Sequence, residues 1–305
     1  MKKLTLTVIF SIIFLSAFAQ AKKKPTALAN KVYYSMAEGS KEASKVKVLN
    51  LRQKGLLSLS DSIMLFQNLE MLNLMKNSLS TLPIVIGKLP KLKELIADQN
   101  KIQTLPFEIG RLGQLEVLQL KKNLLRSLPT SMAELKKLKT LEVANNKLEA
   151  FPTCIFGIKQ LQTLNLSNNA IVKVEPGFTA LGALKQLDIS YNLISQLPDD
   201  LGKLVSLEVL LLEHNQIKEL PGSFESLNNL TTLILSDNLL EGLPSGFSKL
   251  TKLETLVLTN NKIASLPDEL LQMPHLKLLS LIGNPLPEEE VARVRRALPK
   301  TDIRF

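Results

Sequence analysis

From Val46 to about Leu286 the chain repeats a pattern of apolar residues every 23 positions. One copy reads Leu69-x-x-Leu72-x-Leu74-x-x-Asn77-x-Leu79. The frame restarts at Leu92, Leu115, Leu138, Leu161, Leu184, Leu207, Leu230, Leu253 and Leu276. Val46, Leu49, Leu51 and Leu56 open the series as a degenerate copy, with Lys54 at the Asn position. Eleven copies follow one another with no insertion. A unit this short cannot bury an apolar face alone, so successive copies must stack and share one elongated core.

Each part of the copy has a physical assignment. Leu72-x-Leu74 alternates with period two, which predicts a short strand with one face inward. Asn77 falls where the chain turns away. Its amide both donates and accepts, so it suits backbone groups that the turn leaves inside. Asn77, Asn100, Asn123, Asn146, Asn169, Asn192, Asn215, Asn238, Asn261 and Asn284 are therefore expected to form a ladder. In the second half, Leu82-Pro83 precedes Ile86 and Leu89 at helical spacing. Proline brings a preset φ to the bend into a short helical turn. Leu-Pro recurs at Pro106, Pro129, Pro198, Pro221, Pro244 and Pro267, with Phe151-Pro152 as a variant. The copy reading Val174-Glu175-Pro176 carries its Pro one place late and predicts a local irregularity. Aromatics are 5% of the chain and Trp is absent, in keeping with an aliphatic interior.

The frame Leu-x-x-Leu-x-Leu-x-x-Asn-x-Leu resembles the signature of the leucine-rich repeat superfamily. The 23-residue variant, as in Pro106-Phe-Glu-Ile-Gly-Arg-Leu112, is similar to Ras-group leucine-rich repeat proteins and to exported bacterial proteins with the same repeat. The resemblance implies an α/β solenoid: a horseshoe of eleven repeats with a concave parallel β-sheet, short helical turns on the convex side, and a cap at each end. It implies a binding scaffold without catalysis and names no partner.

The two ends differ from the repeats. Lys2 and Lys3 precede an apolar run from Leu4 to Phe18, followed by Ala17-Phe18-Ala19 and Ala19-Gln20-Ala21. This is the layout of a secretory signal peptide over residues 1–21. The run is shorter than the ~20 residues that span a bilayer. Cleavage, leaving no membrane span, and retention as an anchor both remain open. Residues 22–45 read as a linker and capping helix, with Ser35 and Glu38 spaced as a capping box before a helix from Met36 to about Glu42. Tyr33 and Tyr34 are expected to pack against it. Residues 46–286 are the repeats and residues 287–305 a C-terminal cap. There Glu288, Glu289 and Glu290 open a solvated helix whose later turns carry Arg293, Arg295 and Arg296, in the order the helix dipole favours. A final strand is expected near residues 302–305. With both caps present, the chain reads as a whole bacterial protein.

Catalysis, cofactors and metals find no footing in the sequence. One cysteine, Cys154, and two histidines, His214 and His275, give neither a disulfide frame nor a histidine-rich metal set. The spacings G-x-S-x-G, H-E-x-x-H and G-x-x-x-x-G-K-[ST] are absent. Glu213 beside His214 lacks a third partner, and Asp199-Asp200 suits the start of a helical turn.

Function is thus expected on the exposed strand positions of the concave face. Position three runs Val48, Met71, Glu94, Val117, Thr140, Thr163, Gln186, Val209, Thr232, Thr255, Leu278, and position five runs Asn50, Asn73, Ile96, Gln119, Glu142, Asn165, Asp188, Leu211, Ile234, Val257, Ser280. The middle is polar. Val209, Leu211, Ile234, Val257, Leu278 and Ile282 are expected to form an exposed apolar patch that binds a partner protein. Partial burial under the C-terminal cap, or simple β-propensity on a strand, is the competing reading. Charge is uneven as well: residues 22–160 carry 23 Lys and Arg against 11 Asp and Glu, and residues 161–305 carry 13 against 17. The expectation is an exported, monomeric, non-enzymatic protein-binding scaffold. Its alternative is an envelope- or surface-associated adhesion or structural protein, held to anionic polymer by its basic half. Nucleic acid is not expected as a partner.

Overall fold

The computed structural model describes residues 31–273 and 275–305. The expected signal peptide, residues 1–21, lies outside them. Eleven three-residue strands fall on the predicted positions: β2 (Val48–Asn50), β3 (Met71–Asn73), β4 (Glu94–Ile96), β5 (Val117–Gln119), β6 (Thr140–Glu142), β7 (Thr163–Asn165), β8 (Gln186–Asp188), β9 (Val209–Leu211), β10 (Thr232–Ile234), β11 (Thr255–Val257) and β12 (Leu278–Ser280). A strand at each end, β1 (Val32–Tyr33) and β13 (Asp302–Arg304), extends them into one parallel thirteen-stranded sheet in chain order. Neighbouring strands pair at equivalent positions, so each position of the repeat becomes a column running across the sheet.

Leucines at positions one, four and six point away from the open face into a continuous core; Leu184, Leu187 and Leu207 are all buried there. The helical half of each repeat is a 3-10 turn, such as Phe107–Arg111 or Asp199–Lys203, with Pro as the residue before it in seven copies. Little of a 23-residue unit is left for an α-helix once the strand and two bends are made. The late Pro176 has the predicted effect: that turn shrinks to Phe178–Ala180 and begins at Gly177, whose φ is +146°. Phe151, Phe156 and Phe178 pack there at centroid distances of 5.5–5.7 Å.

The Asn ladder forms as expected. Asn192 donates through Nδ2 to the carbonyls of Leu166 (3.1 Å), Ile189 (3.1 Å) and Ser190 (3.0 Å), and its Oδ1 accepts from the Ile171 amide (3.0 Å). One side chain thereby ties its own repeat to the one before it. The residue before each ladder position is left-handed: from Gln53 to Asn260, ten non-glycine residues hold φ of 52–58°, with Gly283 completing the row. Position two carries a second ladder that alternates in charge. It runs Lys47, Glu70, Lys93, Glu116, Lys139, Gln162, Lys185, Glu208, Thr231, Glu254, Lys277. Ion pairs link Lys47–Glu70 (3.5 Å), Glu70–Lys93 (2.7 Å), Glu116–Lys139 (2.7 Å), Lys185–Glu208 (3.1 Å) and Glu254–Lys277 (2.8 Å).

The caps differ from expectation in detail. The first helix, α1 (Met36–Ser40), starts on Ser35 Oγ, which accepts from the Glu38 amide (3.1 Å), but it stops before Glu42. The Glu42 carboxylate instead accepts from Lys31 (2.9 Å) and the Tyr33 hydroxyl (2.8 Å), which hold its pKa down at about 2. Tyr33 is buried in the core, while Tyr34 stays exposed. The last helix, α2 (Glu288–Ala297), is docked rather than merely solvated. Glu290 is buried and accepts from the Leu266 amide (2.8 Å). Arg293 pairs with Glu290 (2.7 Å) and Asp268 and donates to the Leu266 carbonyl (2.5 Å). Among the described residues, no helix is long and apolar enough to cross a membrane.

The concave sheet as a candidate binding site

Strand alternation puts positions three and five on the open face, and positions seven and eight carry that face into the turn. Of the six residues expected to form the apolar patch, the structure brings five together. Leu211, Ile234 and Val257 form a cluster separate from the core, flanked by Val209 and Leu278. Ile282, half-buried at position seven of the last repeat, is not part of it. The expectation of an exposed patch needs correction, because the central three are only 5%, 4% and 5% exposed. Burial under the cap is not the cause. Leu298, Ile303 and Phe305 of the C-terminal cap belong to the interior cluster instead. The three side chains cover one another, shoulder to shoulder in adjacent paired strands, as neighbours ~5 Å apart do on one sheet face.

Beside this trio the face is acidic. Asp98, Glu142 and Asp188 are buried, and burial pushes each carboxyl above its ordinary range. Lys121 opposes that effect for the first two: its amide donates to Asp98 (2.7 Å) and its Nζ lies 3.5 Å from Glu142. Asp188 has only Ser and backbone partners in its surroundings. Glu213 is pushed up to about 7, first by burial and then by the nearby carboxylates of Asp188 and Asp237. Tyr191 is raised by burial and by the same three carboxylates, which sets its hydroxyl in their field. Its ring stacks on His214 at 4.2 Å, and His214 Nε2 lies 3.3 Å from Asp237. Tyr191, His214 and Asp237 occupy consecutive left-handed positions at the rim.

Reading positions three and five alone found Asp188 but missed this grouping. Positions seven and eight, with Glu213 beside Tyr191, His214 and Asp237, held the missing signal. Glu213 and His214 thus acquire neighbours that sequence spacing did not supply. Asp200, expected only to favour a turn, also accepts from the Gly177 amide of the preceding repeat (2.6 Å). Burial pushes the Cys154 thiol up to about 11, which suits packing and disfavours the thiolate a nucleophile needs.

The sequence model of the family described as "Leucine-rich repeat region" matches residues 86–191 and 176–298. Among solved structures, the chain is similar to a leucine-rich repeat protein of Leptospira interrogans at 27% identity. That match covers 90% of this chain and 100% of that one, with a TM-score of 0.55. It is also similar to the plant peptide hormone receptor RGFR1, solved in complex with RGF2, at 31% identity. There 83% of this chain and 46% of that chain are covered, and the TM-score is 0.65. An internalin of Listeria monocytogenes shares the fold at 23% identity, covering 87% and 82% of the two chains, with a TM-score of 0.68. No curated protein matches the chain in sequence.

Proposed function

This chain belongs to the leucine-rich repeat family, whose members are protein-binding scaffolds, and on that premise we propose that it is an exported, non-enzymatic scaffold that recognises a protein partner with its concave face. One observation carries this reading. Leu211, Ile234 and Val257 cluster on the open side of the sheet, apart from the core. Folding does not require apolar residues in that column, since the preceding repeats place Asn165 and Asp188 there and the next one Ser280. Val209 and Leu278, the partly exposed flanks of that cluster, offer its apolar surface to another protein. Export is supported by the signal-like layout of residues 1–21.

Site-specific photo-crosslinking tests the proposal. A benzoylphenylalanine at Thr232, on the concave face, should give a protein adduct in the native envelope fraction. The same group at Lys249, on a 3-10 turn, should not. The adduct should survive ~1 M salt, at which exposed charge attraction is screened. Adducts from Lys249 alone overturn the concave-face reading. Retention on anionic polymer that salt abolishes points to the basic half, residues 22–160, as the working surface instead. N-terminal sequencing of the exported form, beginning between Gln20 and Lys22, checks the leader.

A further inference from the structure

The open column at position five changes character between β8 and β9. Asp188 is in register with Leu211, so a carboxylate stands at the edge of the apolar trio. Asp188 is 2% exposed. Its Oδ1 accepts from the Ser190 amide (3.0 Å) and the Ser190 hydroxyl (2.5 Å), while its Oδ2 has no hydrogen-bond partner. Glu213 lies two residues beyond Leu211, at position seven of the next repeat. Ser236, in that same position one repeat further on, has a buried hydroxyl that is also without a partner. No Lys or Arg forms an ion pair with Asp188 or Glu213 among the described residues. The nearest such pair on the face, Lys121 with Glu142, is made two strands before β8. This happens in a chain with a formal charge of +10. Buried carboxylates are ordinarily paired or fully hydrogen-bonded.

We propose that Asp188, Glu213 and Ser236 form a pocket for the cationic end of an Arg or Lys side chain on the partner, whose adjoining apolar residue lies on Leu211, Ile234 and Val257. The proposal rests on the concave-face reading and specifies the chemistry of what binds there. A guanidinium carries five donors in a plane and a flat apolar stem, so it supplies what Asp188 Oδ2 and Ser236 Oγ lack while its stem covers Leu211. A metal ion fits less well, since among the described residues no three His, Cys, Asp or Glu side chains are grouped to hold one. Asp237 adds negative charge at the rim, where its partners are His214 (3.3 Å) and Asn260 (2.7 Å).

The test follows the methyl signals of Leu211 and Ile234 by NMR in the full repeat array, titrated with Nα-acetyl-arginine amide and with its neutral isostere, Nα-acetyl-citrulline amide. Saturable shifts with an affinity about tenfold higher for the arginine probe are expected, because a charge-assisted contact is replaced by a neutral one. Asp188→Asn should remove that preference and still fold, since Asn165 occupies the same column one repeat earlier. Glu213→Gln provides a second variant with the same expectation. Equal affinity for the two probes, or no shift with the arginine probe up to solubility, overturns the proposal. A partner that crosslinks at Thr232 but binds Asp188→Asn as tightly as the wild type also overturns it, and leaves the concave-face reading standing.

Discussion

Replacing Asn192 by Leu removes a side chain that touches no ligand and should still unfold the middle of the array. Asn192 is buried and makes four hydrogen bonds to backbone groups of two adjacent repeats. At about 1 kcal/mol net per bond, the loss is about 4 kcal/mol. That figure is an upper value, because the Leu166, Ile189 and Ser190 carbonyls each keep a second donor, from the Asn169 and Asn215 side chains and the Asn168 amide, and only the Ile171 amide is left inside without a partner. Asn192→Asp separates the two halves of the amide. It retains an acceptor for Ile171 but turns an oxygen toward three carbonyl oxygens, so it should be at least as damaging. Urea denaturation followed by circular dichroism gives the free energy. Hydrogen exchange read by mass spectrometry gives its location, expected between about Leu166 and Asn215 because coupling in a solenoid is nearest-neighbour. A loss under ~1 kcal/mol in both variants, or exchange that rises evenly along the chain, refutes the structural role assigned to the ladder.

Glu213 should make stability fall with pH. Its folded pKa of about 7 lies above the ordinary 4.5, so the folded state binds more protons between these values and loses stability as pH rises through them. Asp188, Asp237, Tyr191 and His214 surround it, and Glu213→Gln should leave stability unchanged at pH 4 and raise it by about 1–3 kcal/mol at pH 8; parallel curves for the two proteins would contradict this. Gly177→Ala should cost about 2–3 kcal/mol, because φ is +146° and a Cβ would strike the Phe156 ring, whereas Gly182→Ala, with open space around it, should be nearly neutral in the same melt. Arg293→Ala leaves buried Glu290 without its cation and should cost about 3 kcal/mol, with hydrogen exchange accelerating from about Leu266 to the C-terminus; unchanged protection there would show that α2 is not held by this pair.

The period, the inward leucines and the Asn ladder were legible in the sequence because each is decided within one 23-residue unit. So was the disturbance at Pro176. The burial of Leu211, Ile234 and Val257 was not, since it depends on how closely neighbouring strands gather on the concave side. No single repeat encodes that. It follows that a charge at Ile234 would disturb folding as well as binding. The docking of Glu290 was hidden for a related reason: a Glu-rich first turn looks the same whether it meets water or the Leu266 backbone. The left-handed row was only half announced: Asn145, Asn168, His214, Asp237 and Asn260 are residue types that favour positive φ, whereas Gln53, Lys76, Gln99, Lys122 and Tyr191 are not. The acidic pocket draws on positions five and seven of three different repeats and is seen only when the columns are aligned.

The position-two ladder makes the array sensitive to the parity of its length. Lysines stand in alternate copies and glutamates in those between, with Thr231 and Gln162 as neutral substitutes in their proper turns. Excision of a single repeat, for instance residues 115–137, would set Lys93 against Lys139 without harming the leucine frame or the Asn row. Excision of two, for instance residues 92–137, would restore opposite neighbours by setting Glu70 against Lys139. Exposed pairs are worth at most about 1 kcal/mol each, so the odd variant should still fold. It should gain more stability from added salt than the even one does.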